Sequence, residues 1–244
     1  MRLFILSGQL RGGSLFLESS AYHHVVKVVR IKSGDRLELV VNDTNCLIGA
    51  TVKEVASDHL VLSDLQTQSL PKRTLHIALA QALPKQDKMA DILEKCTEIG
   101  VSAFIPLSTS RCISKPPEKK EDRKAQRWEK IIASAAEQSR QPGLPDLMRL
   151  MTLSELVSST TASYDLKLIF WEDSQVPLKV VLKQHPEAKR ILMVIGPEGG
   201  LDSREVTQLR AAGFLDVSMG ESILRVQHAG FMAVSQVLYA YGEG

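Results

Sequence analysis

The 244-residue chain holds only three cysteines, Cys46, Cys96 and Cys112, far apart in sequence, with no Cys-x-x-Cys pair and no histidines clustered beside them. That scarcity argues against a disulfide framework and against the usual zinc spacings, so reduced thiols and no metal are expected. Long apolar runs are missing as well: nothing approaches the roughly 20 consecutive apolar residues of a spanning helix. The opening stretch MRLFILSGQLRGG carries an apolar run too short for a signal-peptide core, and a cytoplasmic location is the expectation. A strong charge of one sign is also absent. The 30 Lys and Arg against 28 Asp and Glu leave a net charge of +2. This balance does not decide for or against a nucleic-acid partner, because phosphate binding depends on where the cations lie. What remains is 44% hydrophobic and 24% charged, the composition of a chain able to bury a full core. Its length permits one large domain, or a small domain followed by a medium one.

Hydrophobic patterning favours the second arrangement, with a boundary near residue 70. Residues 1–70 read as short strands with polar turns. Val25-Val26 and Val28-Val29 precede the turn Lys32-Ser33-Gly34-Asp35. The alternating run Arg36 to Val41 follows, then Ile48 to Val55 and His59 to Leu62. This spacing predicts a small β-barrel, and the polar stretch Gln66 to Lys72, containing Pro71, predicts a linker.

Residues 71–244 alternate strands with helices. Leu75 to Leu83, Ala103 to Leu107, Leu166 to Trp171, Arg190 to Ile195 and Asp216 to Met219 read as strands. Helices are expected over Asp87 to Ile99, ended by Gly100, over Glu121 to Ser139, from near Val176, and from a cap at Asp202 to about Ala212. The run Lys115 to Lys130 interleaves cations with Glu118, Glu121, Asp122 and Glu129, and reads as a solvated helix face. Alternating β and α elements argue for a mostly parallel sheet covered on both faces. A last helix, Val226 to Tyr241, contains no Asp, Glu, Lys or Arg and is apolar around most of its circumference. A helix without a solvated face is buried on more than one side, which predicts a homodimer through it.

Two stretches point to chemistry. In the first, the apolar strand ending at Ile195 runs into Gly196-Pro197-Glu198-Gly199-Gly200, with a helix start at Asp202. Ligands of open α/β sheets bind beyond the carboxyl ends of strands, and glycines there let the backbone approach a ligand closely. No Gly-Lys-Ser/Thr follows, and the GxGxxG fingerprint is absent, so neither nucleotide motif is present. Alone, the stretch is equally a tight strand-to-helix turn. The second stretch, Val217-Ser-Met-Gly220-Glu-Ser-Ile-Leu-Arg225, also leaves a strand end and should open on the same rim, where two loops can wall one pocket.

With these residues in view, the chain resembles the ribosomal RNA small subunit methyltransferase E family, the 16S rRNA (uracil-N3)-methyltransferases. The matching stretches are HHVVKVVRIKSGDRLEL, LPKQDKMADILEKCTEIGVSAFIPLSTSR, AAEQS, IGPEGGLDSREV and MGESILR, spread over nearly the whole chain. The resemblance implies a PUA-like β-barrel over residues 1–70 that binds RNA. It further implies an α/β SPOUT methyltransferase domain over residues 71–244, with a C-terminal trefoil knot and a dimer interface. S-adenosyl-L-methionine (SAM) would be bound by Pro106 and Leu107, by Ile195, Gly196, Pro197, Glu198, Gly199 and Gly200, and by Met219, Gly220, Ile223, Leu224 and Arg225. Cations for 16S rRNA of the small ribosomal subunit would be His24, Lys27, Arg30, Arg111 and Arg140. Arg225, beside the cofactor loop, is the candidate catalytic residue, stabilising negative charge on a uracil whose N3 proton must leave.

The chain departs from the family at two places. After Ile-Leu-Arg the family pattern is Thr-Glu-Thr-Ala, whereas this chain has Val226-Gln227-His228-Ala229. Gln227 cannot ionise; His228 is a candidate substitute, while a lone histidine at a helix start is more often merely hydrogen-bonded. After Ala135-Ala136-Glu137-Gln138-Ser139 the family has Gly-Arg, whereas this chain continues Arg140-Gln141-Pro142. A different RNA target, or a weakly catalytic SAM-binding assembly factor, therefore remain as alternatives to N3 methylation.

Overall fold

The computed structural model describes residues 1–17, 19–70, 73–112 and 118–242. Pro71 and Lys72 of the expected linker, and Lys115 to Pro117 of the basic run, lie outside them. The chain divides into two compact units, one of Met1–Lys72 with Ala136–Leu144 and one of Arg73–Ala135 with Pro145–Gly244.

In the first unit the strands are β1 (Arg2–Ile5), β2 (Leu10–Arg11), β3 (Ser14–Phe16), β4 (Arg36–Val41), β5 (Cys46–Val55) and β6 (His59–Ser69), with helix α1 (Ser19–His23) between β3 and β4. They form one sheet in the order β1-β4-β5-β6-β3-β2. Only β1 and β4 run parallel; the other pairs are antiparallel. The alternation read in β4 is realised: Leu37, Leu39 and Val41 enter a core with Leu3, Ile5, Leu15 and Leu60, while Arg36 stays exposed.

Two expectations fail here. Val25 to Val29 is not a strand: α1 runs into a π-helical turn over His24–Val28, in which Val29 N–H donates to His24 O at 2.9 Å. Val25 is buried, Tyr22 and Val26 pack beside it, and Val28 and Val29 are exposed. Helical spacing brings one apolar set onto the sheet, and that packing overrides the β preference of valine. The expected linker also begins too early, because Gln66 to Ser69 continue β6 and pair with Gly49, Ile48, Leu47 and Cys46. Backbone pairing in a long hairpin does not need apolar side chains.

The second unit comprises β7 (His76–Ala82), α2 (Lys88–Glu98), β8 (Ala103–Ser108), α3 (Glu118–Gln138, whose end belongs to the first unit), β9 (Asp146–Leu147), β10 (Met151–Thr152), α4 (Leu153–Thr160), β11 (Leu166–Phe170), α5 (Leu178–Gln184), β12 (Arg190–Ile195), α6 (Ser203–Ala211), β13 (Leu215–Val217) and α7 (Val226–Ala240). Its sheet is parallel throughout, in the order β10-β8-β7-β12-β11-β13, with β9 also on β8. Central strands β7 and β12 are buried along most of their length, as a sheet covered on both faces requires.

The helices follow local rules. In α2, Met89, Ile92, Leu93 and Cys96 share the buried face, and Gly100 at φ +96° stops the helix in the left-handed conformation. Burial pushes the Cys96 thiol up to about 12, which leaves it unreactive at neutral pH. Asp202 caps α6 by accepting from Arg204 N–H at 2.9 Å, and Glu205 closes the box on Asp202 N–H at 2.8 Å. Helix α7 packs on α2, α5, β7 and β12. Gly230 permits that approach, since a Cβ there would lie 3.2 Å from Leu79 Cδ2. No helix among the described residues is long and apolar enough to cross a membrane.

Candidate functional site

Strands β12, β11 and β13 are neighbours and parallel, so their carboxyl ends lie side by side. The chain leaves them through Gly196 to Gly200, Trp171-Glu172 and Ser218 to Arg225, and these three segments wall a cavity of about 690 Å³. This is where an open α/β sheet binds its ligand. The lining brings together Ile195, Gly196, Pro197, Glu198, Gly199, Gly200, Met219, Gly220, Ile223, Leu224 and Arg225, as the sequence led one to expect.

Pro106 and Leu107 do not join that lining. They lie buried within β8, opposite Gln81 and Ala82 of β7, and β7 separates β8 from β12. The segment just after β8 does reach the site. Arg111 Nη1 donates to Gly199 O at 2.6 Å, its Nη2 stands 3.7 Å from Asp202 Oδ2, and Ser110 N–H donates to Glu205 Oε1 at 2.7 Å. Arg111, an expected RNA contact, thus braces the glycine loop.

The glycine loop is a tight turn and a cavity wall at once. Gly200 N–H donates to Pro197 O at 2.9 Å, and Gly200 sits at φ +70°. A Cβ on Gly196 would stand 3.0 Å from Gly200 C and Leu201 N, so the chain can fold back on itself only without a side chain there. The buried Gln81 holds Gly196 O through Nε2 at 3.4 Å. Glu198 accepts from Lys85 N–H at 3.1 Å and from Lys88 Nζ at 2.7 Å. Partial burial works to raise the Glu198 pKa, but the Lys88 bond and the backbone donors outweigh it and hold the carboxyl below its ordinary range. The loop is therefore fixed at several points before any ligand arrives.

Between Met219 and Arg225 the wall is more open. Ile223 is 89% exposed, and Arg225 stands as the N-cap residue of α7 without a capping bond of its own side chain. In the first turn of α7, Gln227 lines the cavity and His228 does not. Gln227 Oε1 is buried with no hydrogen-bond partner among the described residues, an acceptor that calls for a donor. Phe170, Trp171 and Glu172 also line the cavity and escaped the sequence reading. Their signal was the end of a predicted strand, without glycines to mark it. His24, Lys27 and Arg30 lie in the first unit, exposed on and just after the π-helical turn, and Arg140 is exposed in the same unit. Among the described residues no group of three or more His, Cys, Asp or Glu is arranged to hold a metal ion.

The chain is similar to proteins already known. A family model described as an RNA methyltransferase domain matches residues 71–238. The ribosomal RNA small subunit methyltransferase E of Bacillus subtilis (strain 168) is 30% identical over 225 residues, 89% of this chain and 86% of that protein. The protein of the same name from Synechocystis sp. is 31% identical over 239 residues, 97% of this chain and 76% of its own. A Legionella pneumophila protein solved with the cofactor SAM bound superposes with a TM-score of 0.87 at 28% identity, covering 98% of this chain and 97% of that one.

Proposed function

The chain belongs to the ribosomal RNA small subunit methyltransferase E family of RNA methyltransferases, and from that premise we propose that it uses SAM to methylate N3 of a uridine in 16S rRNA of the small ribosomal subunit. The observation that carries this reading is the cavity walled by the Gly196 to Gly200 and Ser218 to Arg225 loops. Its residues suit SAM. Apolar Met219 and Leu224, neither of them fully buried, offer a surface for a flat base, and the glycine loops expose backbone groups for its polar edges. Gln227 Oε1 is an acceptor in want of an N–H donor.

When bound, SAM supplies a methyl group on a positively charged sulfur, open to in-line attack. The chain's own residues position, exclude water and manage charge. The pinned glycine loop holds one wall fixed. Arg225, the N-cap residue of α7 on the cavity wall, is the cation that would stabilise negative charge on a uracil imide as its proton leaves. The Val226-Gln227-His228 departure presents a neutral amide to the cavity, so Gln227 serves as a hydrogen-bond acceptor and leaves the proton to another group.

We read the return of the chain from β13, at the sheet edge, to α7 over central β7 and β12 as the trefoil knot of a SPOUT domain over residues 71–244. The six-stranded sheet of residues 1–70 is read as a PUA-like barrel that binds RNA through His24, Lys27 and Arg30, with Arg140 and Arg111 adding cations. A homodimer through α7 accounts for Met232 and Tyr239, apolar or aromatic residues that are 37% and 82% exposed on a helix without charges. Such an enzyme works in the cytoplasm, where ribosomes mature.

The test is incubation with radiolabelled SAM and unmodified small subunits, followed by nucleoside mapping. Label in N3-methyluridine is the expected result. SAM binding with label in another nucleoside, or in none, would replace this reading with another RNA target or with a binding factor.

A further inference from the structure

The first unit holds a cavity of its own, of about 490 Å³. Its walls come from Arg36 and Glu38 of β4, from Gly49 to Thr51 of β5, from Asp64 and Gln66 of β6, and from Glu137 and Arg140. Leu37 and Leu39 point into the core, so Arg36 and Glu38 face the opposite way, and the paired residues Thr51 and Gly49 continue the same surface. Between Gly49 and Thr51 the register with β6 shifts, and Asp64 takes φ +54°, so a bulge turns Asp64 and Gln66 toward this face.

The remaining wall is held in a costly conformation. Arg140 sits at φ +56°, unusual for a residue with a side chain. The mostly buried Arg2 fixes it by donating to the carbonyls of Arg140 and Gln141, and Arg2 also pairs with Glu38 at 2.9 Å. That pairing occupies Glu38 and leaves three charged groups committed to nothing. Glu137, Arg36 and Arg140 form no ion pair or side-chain hydrogen bond among the described residues. Partial burial of Glu137 without a partner raises its carboxyl to about 7. An unpartnered, half-buried carboxyl in a concave wall weakens a fold, and such groups gather where a ligand supplies the missing donor.

We propose that this cavity takes one unpaired guanine of RNA, its edge read by the Glu137 carboxylate and its phosphate held by Arg36 and Arg140. The inference rests on the reading that the substrate is RNA. Above pH 7 the Glu137 group is a carboxylate, which accepts and does not donate, so the selection for guanine belongs to the ionised form. Guanine alone presents two adjacent N–H donors on its Watson–Crick edge; adenine and cytosine set an acceptor beside their amine, and uracil flanks its one N–H with two acceptors. Unpaired bases are how proteins read RNA sequence, since the edge must be free. Free guanidinium groups at the rim suit phosphates. The acidic wall of Glu38, Asp64 and Glu137 makes the cavity a poor cradle for phosphate alone.

The test uses the full chain and fluorescent pentamers of uridine carrying a central G, inosine, A or U, at fixed salt and at pH 8, where Glu137 is ionised. One bidentate base contact corresponds to roughly tenfold or more in affinity. The central G should therefore bind about tenfold tighter than A or U, with inosine, which lacks the amine, in between. Glu137→Gln should abolish the preference for G, whereas Arg36→Ala should weaken all four alike. Equal binding of the four by the unaltered chain, or a G preference that survives Glu137→Gln, would overturn the proposal. The unaltered-chain comparison stands by itself if a variant fails to fold. Methyl transfer to small subunits is measured in parallel. Transfer without base preference removes the guanine pocket and keeps the enzyme reading, and preference without transfer does the reverse.

Discussion

Gly196 and Gly200 are glycines for different reasons, and their substitutions should differ accordingly. At Gly200 the backbone lies at φ +70°, where alanine costs about 1–2 kcal/mol. The Glu172 carboxylate also occupies the space a Cβ would take, though it ends an exposed side chain that can swing aside. Gly200→Ala should lower thermal stability modestly and weaken SAM binding in calorimetry by a few-fold. At Gly196 the obstacle is backbone at 3.0 Å, which cannot swing away. Gly196→Ala must move the loop itself, and a loss of SAM affinity of tenfold or more is expected. Glu137 provides a pH test. Its folded pKa of about 7 lies above the ordinary carboxyl value, so the fold favours the protonated form. The stability this group contributes is complete at low pH and is lost as pH rises from its ordinary value through 7. Glu137→Gln should therefore raise the melting temperature at pH 8 more than at pH 5. An equal change at both pH values would show that the carboxyl is not held as described.

Among the elements, those governed by local rules are legible in the sequence. The Asp202 cap, the Gly100 stop after α2 and the apolar strand Arg190 to Ile195 all lie where pattern and capping chemistry placed them. Helix α4 was missed although Thr152-x-x-Glu155 is a capping signature: Thr152 N–H donates to Glu155 Oε2 at 2.8 Å, and Glu155 N–H to Thr152 Oγ1 at 3.2 Å. The valines after Tyr22 misled because their β preference is local and the core that claims Val25 is not. Phe170 to Glu172 were illegible as site residues, since only the sheet order sets β11 between β12 and β13. Helix α7 gives two predictions at this scale. Gly230→Val pushes branched carbons against Leu79 and Ile92 and should destabilise the second unit by roughly 1–3 kcal/mol in denaturant unfolding. Tyr239→Glu, on the exposed face, should leave the fold intact and yield monomers in light scattering. A dimer that persists in this variant would place the interface elsewhere.

At the scale of the whole molecule, the sequence offered a change of pattern near residue 70, from short strands to alternating strands and helices. It could not show that Ala136–Leu144, far along the chain, groups with the first unit, because that depends on tertiary contacts such as Arg2 with the Arg140 and Gln141 carbonyls. The molecule thus joins a parallel sheet with a ligand cavity at its strand ends to a unit that presents cations and an unpartnered carboxyl. The strand-end cavity is proposed to hold SAM for transfer to a uridine of the small subunit. Its most direct test is transfer of label from SAM to unmodified small subunits by the unaltered chain and by Arg225→Ala, with the modified nucleoside identified by mass spectrometry. The expected result is N3-methyluridine with the unaltered chain, and a rate reduced at least a hundredfold in the variant while SAM still binds. Label in a different nucleoside, or a rate indifferent to Arg225, would contradict it.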